Sequence, residues 1–145
     1  MEKITIKKLT AKHFAYVAEK VNWFCPHKNV IKKALKNSQF RYAVFIGSSL
    51  VGMARVVSDH ATFFCIRDFA IIPSYQKRGI GLQLLNKIIC DVKHKNSGSP
   101  CMMEIQCSLG TEGFYQKVGF KIRPNSGNGP AMYMLLNSNR ENAHL

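Results

Sequence analysis

Residues 68–85 read DFAIIPSYQKRGIGLQLL, and this stretch decides the predicted fold. It begins inside an apolar run, residues 62–72, whose β-branched and aromatic composition is typical of a long strand. Pro73 ends that strand, because proline has no N–H for the ladder. After Gly79, leucine, isoleucine and valine recur at helical spacing, which predicts a helix over residues 80–95.

The loop between this strand and this helix has the composition of an anion site. Helix N-termini carry N–H groups without intrahelical partners and a partial positive charge, so they bind phosphates. Gly79 and Gly81 permit close approach of the backbone to a ligand, and Lys77 and Arg78 add positive charge. An ordinary turn would need the same glycines, so both interpretations stay open. The P-loop and dinucleotide-binding glycine motifs are absent.

Outward from this loop, the apolar patterns predict a mixed α/β (α+β) domain with one main sheet and helices on both faces. The 145 residues suit a single domain, residues 1–145. Helices are predicted at residues 11–21, 29–36, 80–95 and 111–118. Strands are predicted at residues 4–6, 41–46, 50–57, 62–72, 102–107, 120–122 and 131–136.

Charge is the unusual feature of the composition. Lys and Arg number 21 against 8 Asp and Glu, a net charge of +13, which suggests a polyanionic partner. Residues 1–60 hold 11 of the basic and 3 of the acidic residues, so the excess is larger there. A nucleic-acid-binding module is therefore one alternative, although no dedicated motif supports it. The ordinary apolar content, 46%, excludes a mostly disordered chain.

Several classes of protein are disfavoured by what the sequence lacks. No apolar run approaches the ~20 residues that span a membrane, and the first residues do not resemble a signal peptide. The five cysteines include no Cys-x-x-Cys pair, and the histidines lack metal-ligand spacing. We therefore expect a cytoplasmic protein with reduced thiols, no metal and no membrane partner.

Two motifs carry a family resemblance. Residues 76–81, QKRGIG, resemble the (Q/R)-x-x-G-x-(G/A) signature of the GNAT acyltransferase superfamily, and Ile71-Ile72-Pro73 precede it as in that family. Residues 114–120, FYQKVGF, resemble the family's F-Y-x-x-x-G-F segment. The order of predicted elements also matches. The resemblance implies a GNAT-like domain whose mixed, mostly antiparallel sheet is splayed in the middle.

The resemblance implies acetyl-CoA as the acetyl donor. Backbone N–H groups of the loop and of the first helical turn would hold the pyrophosphate, and the pantetheine arm would enter beside the splayed strand. The Ile71 N–H would bind the thioester carbonyl oxygen. Tyr115 would donate a proton or a hydrogen bond to the leaving thiolate. The implied cofactor-binding residues are Phe69, Ala70, Ile71, Gln76, Lys77, Arg78, Gly79, Ile80, Gly81, Leu82, Ser108 and Tyr115.

The sequence departs from the family at two positions. Many members carry an asparagine that contacts the cofactor arm where this chain has Ser108. Some protein-lysine acetyltransferases of the family place a glutamate base where this chain has Cys65. A mechanism that relies on that glutamate is therefore not supported.

An attacking amine must lose a proton, so a general base is a reasonable expectation. Asp68, in the long strand, and Asp59, in the turn before it, are the candidates. Asp68 among apolar neighbours would have a raised pKa, or it would pair with Arg55, Arg67 or a loop N–H. Asp59 would otherwise form the turn. The choice between them stays open, and so does a mechanism without a dedicated base.

The resemblance places the acceptor pocket between the first two helices and the central strands. Trp23, Arg55 and Asp59 are the candidate substrate residues, with a core tryptophan and a structural arginine as the alternatives. We expect a small-molecule primary amine as the acceptor. The alternative is a catalytically silent CoA-binding sensor of the same fold. The edge strands of such sheets often pair, so a homodimer is compatible with the resemblance.

Overall fold

The computed structural model describes residues 2–134 and residue 136. The chain divides into two compact units, one ending at Ile105 and the other beginning at Gln106. The first unit contains β1 (Thr5–Lys7), α1 (Ala11–Lys20), α2 (Lys28–Lys36), β2 (Phe40–Ile46), β3 (Ser49–Ser58), β4 (Phe63–Ile71), a 3₁₀ turn (Pro73–Tyr75), α3 (Ile80–Lys95) and β5 (Met102–Ile105). The second unit contains α4 (Glu112–Gln116).

The strands of the first unit form one open sheet in the order β1-β2-β3-β4-β5. Neighbouring strands are antiparallel except β4 and β5, which run parallel. This confirms the predicted mixed, mostly antiparallel sheet. The β4–β5 ladder ends at Ile66 and Ile105, whereas β4 continues to Ile71, so the two strands stay paired over only half of β4.

Helices cover both faces of this sheet. Successive residues of a strand point to opposite sides, so neighbouring residues show which helix lies on each face. Buried residues of α1 and α2 share a core cluster with Ala43, Met53 and Ala70 of the sheet. Tyr42, the neighbour of Ala43, faces the other way and donates a hydrogen bond of 2.9 Å to Asp91 of α3. Helix α3 therefore covers the opposite face.

The described residues of the two last predicted strands form no strand. Residues 120–122 are irregular, and residues 131–134 and 136 form no strand; Leu135 lies outside the described residues. Met132, Tyr133 and Met134 are 92%, 79% and 81% exposed. The apolar pattern of these residues favours a strand. A strand also needs a neighbouring strand to pair with, and a local pattern does not supply one.

Candidate active site

A bulge in β4 lies just beyond the point where β5 stops pairing. Ala54 of β3 lies opposite two residues of β4, Asp68 and Phe69, because the register shifts between Met53 and Arg55. Asp68 has a φ of 52°, which is uncommon for a residue other than glycine. An extra residue of this kind bends a strand and increases its twist. The bulge therefore accompanies the separation of β4 from β5.

The Ile71 N–H points away from β3. Beyond the bulge, the Ile72 N–H donates to the Val51 carbonyl at 2.9 Å, so the neighbouring pair Gly52–Ile71 is a non-hydrogen-bonded pair of the ladder. A Cβ built on Gly52 would lie 2.7 Å from the Ala70 oxygen, so that carbonyl faces β3. In a trans peptide the N–H points opposite to the C=O. The Ile71 N–H is thus directed to the side on which β5 has already ended.

The loop after β4 is held to the strand end by Gln76. Its side-chain amide donates to the Ile71 carbonyl at 2.9 Å, and its backbone N–H donates to the Pro73 carbonyl at 3.2 Å. Because that N–H is used within the loop, the geometry favours a supporting role for Gln76 over direct anion binding. Lys77 follows with a φ of 59°.

The N-terminus of α3 has no side-chain cap and could hold an anion. Gly79 is the N-cap, with a φ of 78°, and no side chain caps the helix. The first-turn N–H groups of a 16-residue helix therefore lack a side-chain partner at the N-cap. Lys77 and Arg78 beside them are exposed, and Arg78 forms an ion pair with Glu2 and stacks 5.1 Å from the Tyr75 ring centroid. Of the remaining predicted loop residues, Ile80 is buried and Leu82 is 39% exposed.

Tyr115 and Ser108 belong to the second unit. Tyr115 is 7% exposed and packs edge-on against Phe114 and Phe120, with ring centroids 4.9 and 5.9 Å apart. Burial, and after it the neighbouring Cys107, raises the pKa of Tyr115 to about 12. Its hydroxyl therefore keeps its proton at neutral pH. Ser108 is exposed, and its carbonyl accepts a 2.7 Å hydrogen bond from the Thr111 hydroxyl.

Asp59 is engaged in the turn before β4. Its carboxylate accepts a 2.6 Å hydrogen bond from the Thr62 hydroxyl and three from the N–H groups of Ala61, Thr62 and Phe63. The Thr62 hydroxyl first, and then these N–H groups, hold the pKa of Asp59 well below its usual range. A carboxylate so engaged is a poor proton acceptor, so the geometry favours its turn-forming role.

The structure also gives the contacts or the exposure of Asp68, Trp23 and Cys65. Asp68 forms an ion pair with Arg55, the pairing that stood as the alternative to a general base. Trp23 is 39% exposed, so it is not a core residue. Cys65, at the position of the family's glutamate, is partly buried, and burial raises the pKa of its thiol.

One residue near the strand end was not predicted as part of the site. Gly52 is buried beside β4, where its missing side chain lets the two strands approach closely. A glycine inside a strand pattern is itself the signal for such an approach.

Two further observations concern metal-binding clusters and membrane-spanning helices. No group of three or more His, Cys, Asp or Glu side chains within residues 2–134 and 136 is arranged to hold a metal ion. In the same part of the chain, no helix has the length and apolar character needed to cross a bilayer.

Comparison with known proteins identifies relatives of one kind. The chain is 29% identical to the chloroplastic GCN5-related N-acetyltransferase 2 of Arabidopsis thaliana, over 81% of this chain and 52% of that protein. It is 29% identical to histone acetyltransferase TAP1 of Glycine max, over 81% and 54% of the two chains. It is 34% identical to the ribosomal protein bS18-alanine N-acetyltransferase of Haemophilus influenzae, over 63% and 66%. The chain thus spans about half the length of the first two relatives.

Solved structures share the fold. A probable acetyltransferase of meticillin-resistant Staphylococcus aureus superimposes with a TM-score of 0.77 at 23% identity, over 94% of this chain and all of that one. A GNAT family acetyltransferase of Elizabethkingia anophelis with acetyl-CoA bound gives 0.65 at 25% identity, over 84% and 78%. These likenesses confirm the predicted fold class. Residues 38–122, more than half of the chain, match the family model described as an acetyltransferase (GNAT) domain. The chain therefore belongs to the GNAT acetyltransferase family.

Proposed function

We propose that this chain transfers an acetyl group from acetyl-CoA to a primary amine by direct attack within a ternary complex. The observation that carries the proposal is the direction of the Ile71 N–H. It points to the side where β5 has ended, close in sequence to the uncapped N-terminus of α3. A donor for a carbonyl oxygen and a site for a phosphate are two of the contacts by which an acyl-CoA can be bound.

The residues present fit this donor. The first-turn N–H groups of α3, with Gly79 in a left-handed conformation before them, would bind the pyrophosphate, and the Lys77 charge would add to the attraction. When bound, acetyl-CoA supplies an activated thioester. The Ile71 N–H would donate to the thioester carbonyl oxygen and stabilise negative charge there as the amine attacks. By the family resemblance, Tyr115, which is protonated at neutral pH, would supply a proton to the leaving sulfur.

The amine proton has no dedicated acceptor in this proposal. Asp59 is engaged by four hydrogen bonds and Asp68 by Arg55, so the proton would pass to water. The reactive fraction of an amine with a pKa near 10 grows about tenfold per pH unit below that value. We therefore expect kcat/KM to rise with pH towards the pKa of the acceptor. A plateau that begins near pH 7 would instead require a base within the enzyme.

For the acceptor we propose a small-molecule primary amine that also carries negative charge. The sequence has no acidic residue between Glu19 and Asp59. Within that span, α2 exposes its four lysines, Lys28, Lys32, Lys33 and Lys36. Such a surface attracts anions and repels cationic polypeptides such as histone tails. The relatives named for histone and ribosomal-protein acceptors make protein amines the competing class.

The test is a thiol-release assay with acetyl-CoA over a panel of amines. The panel contains amino acids, neutral amines, polyamines, a histone-tail peptide and a peptide with an N-terminal alanine. The proposal expects turnover with carboxylate-bearing small amines, weakened by added salt because the attraction is electrostatic. Turnover with peptides alone would refute the acceptor class. Binding of acetyl-CoA without thiol release on any amine would instead identify a silent sensor.

A further inference from the structure

The Arg55–Asp68 ion pair spans the bulge that precedes the Ile71 peptide. Arg55 Nε donates to Asp68 Oδ2, and the two side chains are only 18% and 21% exposed. Asp68 is the bulge residue with a φ of 52°, and Arg55 is the β3 residue at which regular pairing resumes, opposite Arg67. The ion pair thus joins the two strands at the irregular point of their ladder.

A left-handed residue inside a strand needs support from its surroundings. Such a backbone conformation is strained for residues other than glycine, and it persists where the neighbouring structure holds it in place. Aspartate is among the side chains that tolerate it best. A partly buried, charge-assisted hydrogen bond to Asp68 is one of the stronger side-chain interactions, and it can hold this backbone conformation in place.

Arg55 is itself anchored from the other side. Its Nη1 donates to the Ser38 hydroxyl oxygen at 3.4 Å, and that hydroxyl donates to the Ala34 carbonyl of α2 at 2.8 Å. The bulge is therefore connected to the end of α2 through two side chains. This contact gives Arg55 a fixed position from which it holds Asp68.

We propose that Arg55 and Asp68 are positioning residues, and that their ion pair holds the β4 bulge so that the Ile71 N–H is aimed at the carbonyl oxygen of the donor. Asp68 lies three residues before Ile71, so the conformation at Asp68 sets the direction of the strand end that carries this N–H. The inference rests on the proposed function of the Ile71 N–H. It assigns Asp68 a role other than general base and Arg55 a role other than acceptor binding.

Three substitutions of Asp68 separate these roles. Asp68→Asn keeps the shape, the tolerance of a left-handed φ and an oxygen that accepts from Arg55. Asp68→Gly loses the ion pair but adopts a positive φ without cost. Asp68→Ala loses both. A positioning role predicts that kcat follows the order Asn, then Gly, then Ala, with Ala about 10- to 100-fold below the parent.

A general base predicts a different result. All three variants would then lose kcat about equally, and the acidic limb of the pH–rate profile would disappear with the carboxylate. Equal loss in Asn, Gly and Ala, or a parental kcat in Asp68→Ala, would overturn the proposal. If Asp68→Ala fails to fold, the Asn and Gly variants decide, because a base predicts an equal loss of kcat in both and a positioning role predicts that Asn keeps more kcat than Gly.

A matched control removes an ion pair elsewhere. Asp91, whose side chain is 23% exposed, pairs with Lys87 on α3 and accepts from Tyr42. Asp91→Ala is expected to lower thermal stability and leave kcat at the parental value. Asp68→Ala is expected to lower kcat while the affinity for CoA, which has no acyl carbonyl, stays parental. A loss of CoA affinity equal to the loss of kcat would indicate general damage and refute the specific role.

One measurement is independent of turnover. The ¹⁵N–¹H chemical shift of the Ile71 amide reports the surroundings of this N–H in the free protein. It is expected to move in Asp68→Ala and in Arg55→Ala, and to stay near the parental value in Asp68→Asn and in Asp91→Ala. If the parent shows no acetyl transfer but these shifts move as expected, the proposed function fails and the positioning of the peptide stands. An unmoved Ile71 shift in Asp68→Ala would refute the positioning itself.

Discussion

Replacing Gly52 with alanine would press a methyl group against the peptide that carries the Ile71 N–H. The added Cβ would lie 2.6 Å from Ile71 Cδ1 and 2.7 Å from the Ala70 oxygen. The Cδ1 atom ends a flexible side chain and can rotate away, but the Ala70 oxygen belongs to the backbone. To reach an ordinary contact of 3.4 Å from 2.7 Å, that oxygen must recede by about 0.7 Å, and the Ile71 N–H moves with it.

The expected effect follows from this displacement. A misplacement of about 1 Å at a reacting centre can cost 10²-fold in rate, so we expect kcat to fall by roughly tenfold or more. Overpacking of a filled site typically costs about 1–3 kcal/mol of the free energy of unfolding. The assays are thiol release with acetyl-CoA and denaturant unfolding, carried out on the same preparations.

Gly113→Ala is the matched control. A Cβ at Gly113 in α4 meets nothing within 4 Å, and alanine favours a helix by about 0.5–1 kcal/mol relative to glycine. We expect this variant to be as stable as the parent or more so. If Gly52→Ala retains both parental kcat and parental stability, the assigned direction of the Ala70–Ile71 peptide is wrong.

Three other substitutions test the proposed proton donor, the proposed phosphate site and the turn before β4. Tyr115→Phe should lower kcat by about 10²-fold or more, and a parental rate would exclude proton donation by Tyr115. Gly79→Ala, at a φ of 78°, should weaken CoA binding about 5- to 10-fold in a titration, and unchanged affinity would contradict the phosphate site. Asp59 has a folded pKa below its unfolded value of 3.8, so its stabilisation is present above about pH 4 and is lost on acidification. Asp59→Asn should therefore flatten the decline of Tm between about pH 5 and pH 3, and an unchanged decline would refute the turn contacts.

Local patterns in the sequence predicted the first unit well. The helix at residues 80–95 coincides with α3, because apolar spacing and the break at Gly79 both act within a few residues. The strands from β1 to β5 were predicted within a few residues of their bounds for the same reason. The predicted strands at residues 120–122 and 131–136 were wrong in the described residues, because pairing depends on a distant partner.

The candidate site could be predicted in part. The glycines and the basic pair of the loop indicated an anion site, since a helix N-terminus has that property wherever it occurs. The choice between a base and an ion pair at Asp68 was open, because Arg55 is 13 residues away along the chain. Gln76 was expected to offer its backbone N–H, and the contact with Pro73 that uses this group depends on the path of the loop.

The sequence by itself determined the family and the order of the first elements, because each follows from motifs or from spacing within one segment. It also predicted an anion site in the loop before α3, which stays a prediction. The tertiary structure decided which groups meet across segments. The register shift between β3 and β4 sets the bulge at Asp68, and the early end of the β4–β5 ladder leaves the Ile71 N–H facing away from β3. Strand register is a property of two chain segments together, so neither segment encodes it alone.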